Sequence, residues 1–128
     1  MENKKRVLLT GIGGSIAVHL LAHIFTHTDW EIVGIDSFQH KGWTDRIKVM
    51  TNNHPDWKER LTLFIQDLAI PFSPIIIKRL GKIDYIINMA SLSDVEASIQ
   101  DPVPFIDNNV KLAVNMLEYA RKAKPKAF

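Results

Sequence analysis

Val7-Leu8-Leu9-Thr10-Gly11-Ile12-Gly13-Gly14-Ser15-Ile16-Ala17 is an apolar run that breaks into a glycine-rich turn and re-emerges as a helix. The backbone must turn sharply after Thr10. At Gly11 and Gly14 a Cβ would obstruct either that turn or the close approach of a pyrophosphate. Behind the turn, Ile16, Leu20, Leu21, Ile24 and Phe25 recur at helical spacing. The unpaired N–H groups and positive dipole end of that helix therefore point at the turn, where they attract a diphosphate.

Any strand-to-helix turn can use glycine, so the next apolar run carries weight. Glu31-Ile32-Val33-Gly34-Ile35-Asp36 ends in a carboxylate 25 positions after Gly11 (36 minus 11). That is close to the spacing at which an acid meets an adenosine ribose. An acid there accepts hydrogen bonds from the 2′- and 3′-hydroxyls and repels a 2′-phosphate, so NAD is expected over NADP. Lys41 and Arg46 nearby temper that preference.

Composition sets the frame. The chain has 128 residues, 46% of them hydrophobic, enough for one core and one domain. Sixteen basic and fourteen acidic residues give a net charge of +2 with no basic stripe, so nucleic acid is not an expected partner. The cluster Asn3-Lys4-Lys5-Arg6 is expected to solvate the approach to the first strand. Without cysteine there are no disulfides, thiolate metal sites or cysteine nucleophiles. No run reaches the roughly eighteen apolar residues of a membrane span, and no signal-peptide pattern opens the chain. A soluble, cytoplasmic protein is the expectation.

Apolar runs alternate with helical segments, which argues for parallel strands joined by crossover helices. Strands are predicted near residues 5–10, 31–36, 61–66 and 83–88, and helices over about 15–27, 73–80, 94–100 and 104–123. Residues 37–60 lack a clean period and read as a long connection with one short helix. Pro71, Pro74, Pro102, Pro104 and Pro125 punctuate the helix boundaries. The predicted class is α/β: a Rossmann-like three-layer α/β/α domain, a truncated doubly wound parallel sheet in the order 3-2-1-4. The outer edge of the fourth strand would be bare and would invite self-association into a homo-oligomer.

Ligands of open α/β sheets lie outside the carboxyl ends of the strands. The third strand ends in Asp67-Leu68, where Asp67 could accept from the adenine amino group or cap a helix. The fourth ends in Met89-Ala90-Ser91, whose small residues would let backbone approach the diphosphate and nicotinamide ribose. His19, His23 and His27 share one helix face, but no carboxylate completes a catalytic metal set, and no metal is expected. Trp30, Trp43 and Trp57 read as packing anchors, and Asp94 and Glu96 as surface solvation.

These residues resemble the extended short-chain dehydrogenase/reductases, and within them the NAD-dependent sugar-nucleotide epimerases and dehydratases. Thr10 to Ala17 is similar to that family's T-G-x-x-G-x-x-G turn, Asp36 to its ribose acid and Asp67-Leu68 to its adenine-side pair. Asn88 to Pro102 resembles its strand end and substrate loop, while Phe105 to Val110 and Met116 to Arg121 resemble the following helix. The resemblance implies that Ser15, Ile16, Asp36, Ser37, Asp67, Leu68, Met89, Ala90, Ser91, Ser93 and Asn108 touch NAD, beside the turn glycines Gly11 and Gly14. It also implies that residues near Ser93 to Val95 face a nucleotide-sugar substrate.

Two departures stand out. Ala17 and Val18 replace the family's glycine and small polar residue, and the added methyl should loosen or shift the helix. The family's catalytic Tyr-x-x-x-Lys has no counterpart: Met89 follows Tyr85 by four positions and Ala123 follows Tyr119 by four. No general base for hydride transfer is therefore assigned, and no catalytic residue. The chain reads as the N-terminal, NAD-binding portion of an enzyme that oxidises a sugar nucleotide transiently, inactive by itself. The alternatives are a non-catalytic dinucleotide-binding module, acting as sensor or assembly partner, and a portion of a family reductase acting on a non-sugar carbonyl.

Overall fold

The computed structural model describes residues 4–40 and 43–128; Asn3, Lys41 and Gly42 lie outside them. Four parallel strands, β1 (Arg6–Thr10), β2 (Glu31–Asp36), β3 (Leu61–Ile65) and β4 (Tyr85–Asn88), form one sheet in the order β3-β2-β1-β4. The predicted order is the observed one. The register sets Leu8 between Val33 and Ile86, and Gly34 between Leu9 and Leu63.

Because strand side chains alternate, the sheet feeds two cores. On one face Leu8, Val33, Ile35 and Ile86 pack with Leu80, Leu112, Met116 and Tyr119. These last residues come from α4 (Pro74–Leu80) and α6 (Val103–Ala123). On the other face Val7, Leu9 and Ile32 meet Leu21, Ile24 and Phe25 of α1 (Ser15–His27) and Ile47 of α2 (Trp43–Asn53). Gly34 belongs to this second face, where Ile12 fills the space that a side chain would take: a Cβ there would collide with Ile12 Cδ1. Burying each large aliphatic chain contributes about 1.5–3 kcal/mol, which makes the sheet the organising layer.

Helix ends follow local chemistry. Ser73 caps α4 by accepting from the Ile76 N–H at 3.3 Å, with Pro74 in the first turn. Asp94 caps α5 (Val95–Gln100) by accepting from the Ala97 N–H at 2.9 Å. Asp94 is exposed, as expected, and has this further role: a carboxylate one residue before a helix satisfies an orphan donor. Arg60 fastens the other end of α1. Its guanidinium donates to the carbonyls of Phe25 and Thr28, each at 2.7 Å, and lies 4.6 Å from the Phe25 ring centre.

Two further expectations change. Residues 37–60 hold α2 and a second helix, α3 (Pro55–Glu59), where one short helix was predicted. Among the described side chains of α2 only Ile47 and Thr51 are buried, so its apolar face is too thin to register as a period. The outer edge of β4 is also partly covered. Tyr85 bridges Ala127, the Ile86 N–H donates to the Ala127 carbonyl at 3.1 Å, and the Lys126 N–H donates to the Asp84 carbonyl at 2.7 Å. After the left-handed Lys124 at the end of α6, the chain turns back along the sheet.

Two of the three tryptophans find packing roles, while the side chain of Trp43 lies outside the described residues. Trp30 stacks on Tyr85 with ring centres 5.5 Å apart, and Trp57 packs on Phe25 at 5.6 Å. His23 and His27 stack on each other at 4.1 Å on the exposed face of α1. Ala17 is 2% exposed within an unbroken α1, so the helix accommodates its methyl group. Among the described residues, no helix is long and apolar enough to cross a membrane.

Candidate functional site

The carboxyl ends of the four strands surround a cleft of about 410 Å³. Its floor is the turn between β1 and α1. Gly11 has φ +65°, and a Cβ there would lie 2.8 Å from Ala90 Cα and 2.9 Å from Ala90 N, so both the turn and its neighbour demand glycine. Gly14 is less constrained: a Cβ would meet only the Gly11 carbonyl, at 3.1 Å. The Gly11 N–H donates to the Ile35 carbonyl at 2.8 Å and the Gly14 N–H to the Gly11 carbonyl at 2.9 Å. Among the described residues, no side chain caps α1 and its first turn carries no acid. The first N–H groups of a helix have no intrahelical partner, so those of α1 are directed at the cleft.

Asp36 forms a wall and also supports the floor. One carboxylate oxygen accepts from the Gly13 N–H at 2.9 Å and the other from the Phe38 N–H at 3.0 Å. The first contact ties the glycine turn to the end of β2. The second holds Phe38 at φ +51°, a left-handed conformation uncommon for a side chain of this size. Each oxygen keeps a further lone pair for a hydroxyl donor.

The opposite wall depends on Thr10, which is fully buried. Its hydroxyl donates to Asn88 Oδ1 at 2.6 Å and accepts from the N–H groups of Met89 and Ala90 at 3.0 and 3.1 Å. The ends of β1 and β4 are thereby joined beside the turn. Beyond them, Asn109 holds the following loop by accepting from the Leu92 N–H at 2.8 Å and donating to the Leu92 carbonyl at 3.0 Å. At the end of β3, Asp67 accepts from the Ala69 N–H at 2.9 Å, closing a local turn rather than capping a helix. Asn115 of α6 steadies the same loop by donating to the Leu68 carbonyl at 2.9 Å.

Every residue that the sequence assigned to a cofactor lines this one cleft: Gly11, Gly14, Ser15, Ile16, Asp36, Ser37, Asp67, Leu68, Met89, Ala90, Ser91, Ser93 and Asn108. Of the residues expected to face a sugar nucleotide, Ser93 reaches the lining, Asp94 is committed as a helix cap and Val95 is 72% exposed outside it. The sequence reading missed Gln39, His40, Gln66, Leu92 and Leu112, and treated Arg46 as a nearby charge only. Arg46 in fact donates to the Gly13 carbonyl at 3.1 Å. The signal for these residues is contact across the fold, which a linear motif does not carry.

Neither tyrosine belongs to the cleft lining. Tyr119 packs edge-on against Phe72 at 5.1 Å, its hydroxyl is buried without a partner among the described residues, and burial pushes its ionisation upward. A phenol so placed is a poor proton acceptor.

The family model for the NAD dependent epimerase/dehydratase family matches residues 7–128. The dTDP-glucose 4,6-dehydratase of Escherichia coli is 27% identical over 117 residues, covering 91% of this chain and 31% of its own length. Among solved structures, the UDP-Glc/GlcNAc 4-epimerase of Campylobacter jejuni is 26% identical with a TM-score of 0.75, over 94% of this chain and 34% of that one. DesIV, a dTDP-glucose 4,6-dehydratase from Streptomyces venezuelae with NAD and TYD bound, shares the fold at a TM-score of 0.78 and 22% identity, over 94% and 37%. The chain thus spans about a third of the length of these relatives. A glycine turn feeding an uncapped helix, an acid closing β2 and a family match that runs through all four strands lead to one assignment: the chain belongs to the NAD dependent epimerase/dehydratase family.

Proposed function

We propose that the cleft binds NAD through its ADP half, and that these 128 residues serve the cofactor rather than the chemistry of a sugar-nucleotide epimerase or dehydratase. The observation that carries this reading is the pairing of two features on one cleft. An α1 N-terminus uncapped among the described residues opens at Gly11 and Gly14, and Asp36 stands beside it at the end of β2. The amide donors of α1 suit a diphosphate, and the remaining Asp36 lone pairs suit the ribose hydroxyls. Asp67 and Leu68 are the proposed adenine side, while Met89, Ala90, Ser91, Ser93 and Asn108 are the proposed nicotinamide side. The negative charge of Asp36 favours NAD over NADP.

NAD, when bound, supplies a hydride acceptor for a carbon that bears a hydroxyl. The chain's own part is to hold the dinucleotide and, through the loop that Asn109 fixes, to shape the approach to it. No Tyr-x-x-x-Lys pair is present to remove the hydroxyl proton, so the 128 residues alone are proposed to be inactive. Thermal unfolding tests the cofactor assignment. Ligand at a hundred times its Kd stabilises a native protein by about 2.7 kcal/mol. Saturating NAD should raise the Tm of this chain by several degrees, whereas an unchanged Tm would contradict the proposal.

A further inference from the structure

β3 stands at one side of the sheet and pairs with β2 alone among the described residues. Its hydrogen bonds fix which backbone groups are left over. The Ile32 N–H donates to the Arg60 carbonyl at 2.9 Å and the Gln66 N–H to the Asp36 carbonyl at 3.0 Å, so the even-numbered residues turn their polar groups towards β2. Successive residues of a strand alternate in this respect. The N–H and carbonyl groups of Leu61, Leu63 and Ile65 therefore face outward, unpaired among the described residues. Nothing in Leu61-Thr62-Leu63-Phe64-Ile65-Gln66 guards this edge: it has no charge and no proline, and Leu63 and Ile65 are 44% and 78% exposed. The opposite side of the sheet differs, since Lys126 and Ala127 already bond along β4.

We propose that β3 docks on the β3 of a second copy of this chain, the two strands running antiparallel about a twofold axis at Leu63. That alignment is self-complementary. Leu63 exchanges both N–H···O bonds with its equivalent, and Leu61 does so with the partner's Ile65, which engages all three outward-facing residues. The same pairs set apolar side chains against each other across the axis, covering Leu63 and Ile65. Charge favours this direction. It brings the net-positive Lys58-Glu59-Arg60 end of one strand beside the partner's Asp67, whereas parallel strands would bring like ends together. With the outer edge of β4 bonded to Ala127, the pairing closes at two copies and gives one sheet of eight strands, four from each copy. Leu61 to Ile65 do not line the cleft, so the dimer stands whether or not NAD binds there.

Leu63→Cys and Ile65→Cys, each in a chain that otherwise lacks cysteine, test the register under mild oxidation. Across the axis the two Leu63 Cα atoms would lie about 5.5 Å apart, within disulfide reach, while the two Ile65 positions are offset by four residues, about 14 Å. Leu63→Cys is expected to give a covalent dimer in about tenfold greater yield than Ile65→Cys. Sedimentation velocity of the wild type over about 1 to 100 µM should show a monomer giving way to a dimer. Leu63→Lys, which sets two like charges opposite each other, should raise the dissociation constant about tenfold or more with its circular dichroism unchanged. Val110→Lys, on the exposed face of α6, should leave the dimer intact. Where Leu63→Lys does not fold, the cross-linking pattern decides alone. A wild type monomeric throughout, a dimer lost in Val110→Lys or untouched in folded Leu63→Lys, or equal cross-linking of the two cysteine variants would overturn the proposal.

Discussion

At the residue scale the cleft depends on a few atoms that cannot be exchanged. Gly11→Ala would place a Cβ against the Ala90 backbone at a positive φ, where neither neighbour can give way. We expect a loss of about 1–3 kcal/mol in urea unfolding, with NAD affinity falling further than stability alone requires. Thr10→Val keeps the shape but removes a hydroxyl that serves Asn88, Met89 and Ala90. It should cost about 2 kcal/mol by the same measurement, because two backbone N–H groups lose their acceptor. Gly11, Gly14 and Asp36 were legible in the sequence because their demands are local: a turn, a helix start, the end of a strand. Thr10 was not, since its partners stand 78 to 80 positions away. The structural half of Asp36, its grip on Gly13 and Phe38, was equally hidden.

At the element scale, strands and long helices were readable because buried parallel strands are apolar throughout and α6 is punctuated by prolines. The two helices between β2 and β3 were not. α2 buries little, α3 has five residues and no buried one, and their order comes from contacts outside themselves. Arg60 supplies one such contact by joining the residue after α3 to the last carbonyls of α1. Arg60→Leu removes the charge-assisted bonds to the carbonyls of Phe25, Thr28 and Trp30 while keeping some packing on Phe25. It should lower stability by about 1–2 kcal/mol, read as a lower urea midpoint with little change in slope.

At the scale of the whole molecule, the N-terminal ends of the strands are tied by Asp84. Its carboxylate accepts from the Arg6 N–H at 2.9 Å and lies 3.8 Å from Lys126 Nζ. The Arg6 amide, foremost, and the nearby Lys126, Lys82 and Lys5 hold its ionisation below the ordinary 3.8, against a smaller opposing effect of burial. A carboxyl whose pKa is lower folded than unfolded adds stability above the unfolded value. That stability is lost as pH falls through the folded value. Asp84→Asn should therefore be less stable than wild type near neutrality, and the difference should shrink below about pH 4. A difference that persisted unchanged at pH 2 would assign the effect to packing instead.

The cofactor site is the claim on which the functional reading stands, and calorimetric titration of NAD into wild type and Asp36→Asn tests it most directly. Asparagine keeps one oxygen, so the charge, one of the two backbone contacts to Gly13 and Phe38, and one of the two acceptors open to the ribose are lost, and circular dichroism with urea unfolding verifies the fold. Saturable one-to-one binding by the wild type, weakened about tenfold or more in Asp36→Asn with the fold intact, is the predicted result. Absence of saturable binding, or equal affinity in the two proteins, would contradict it.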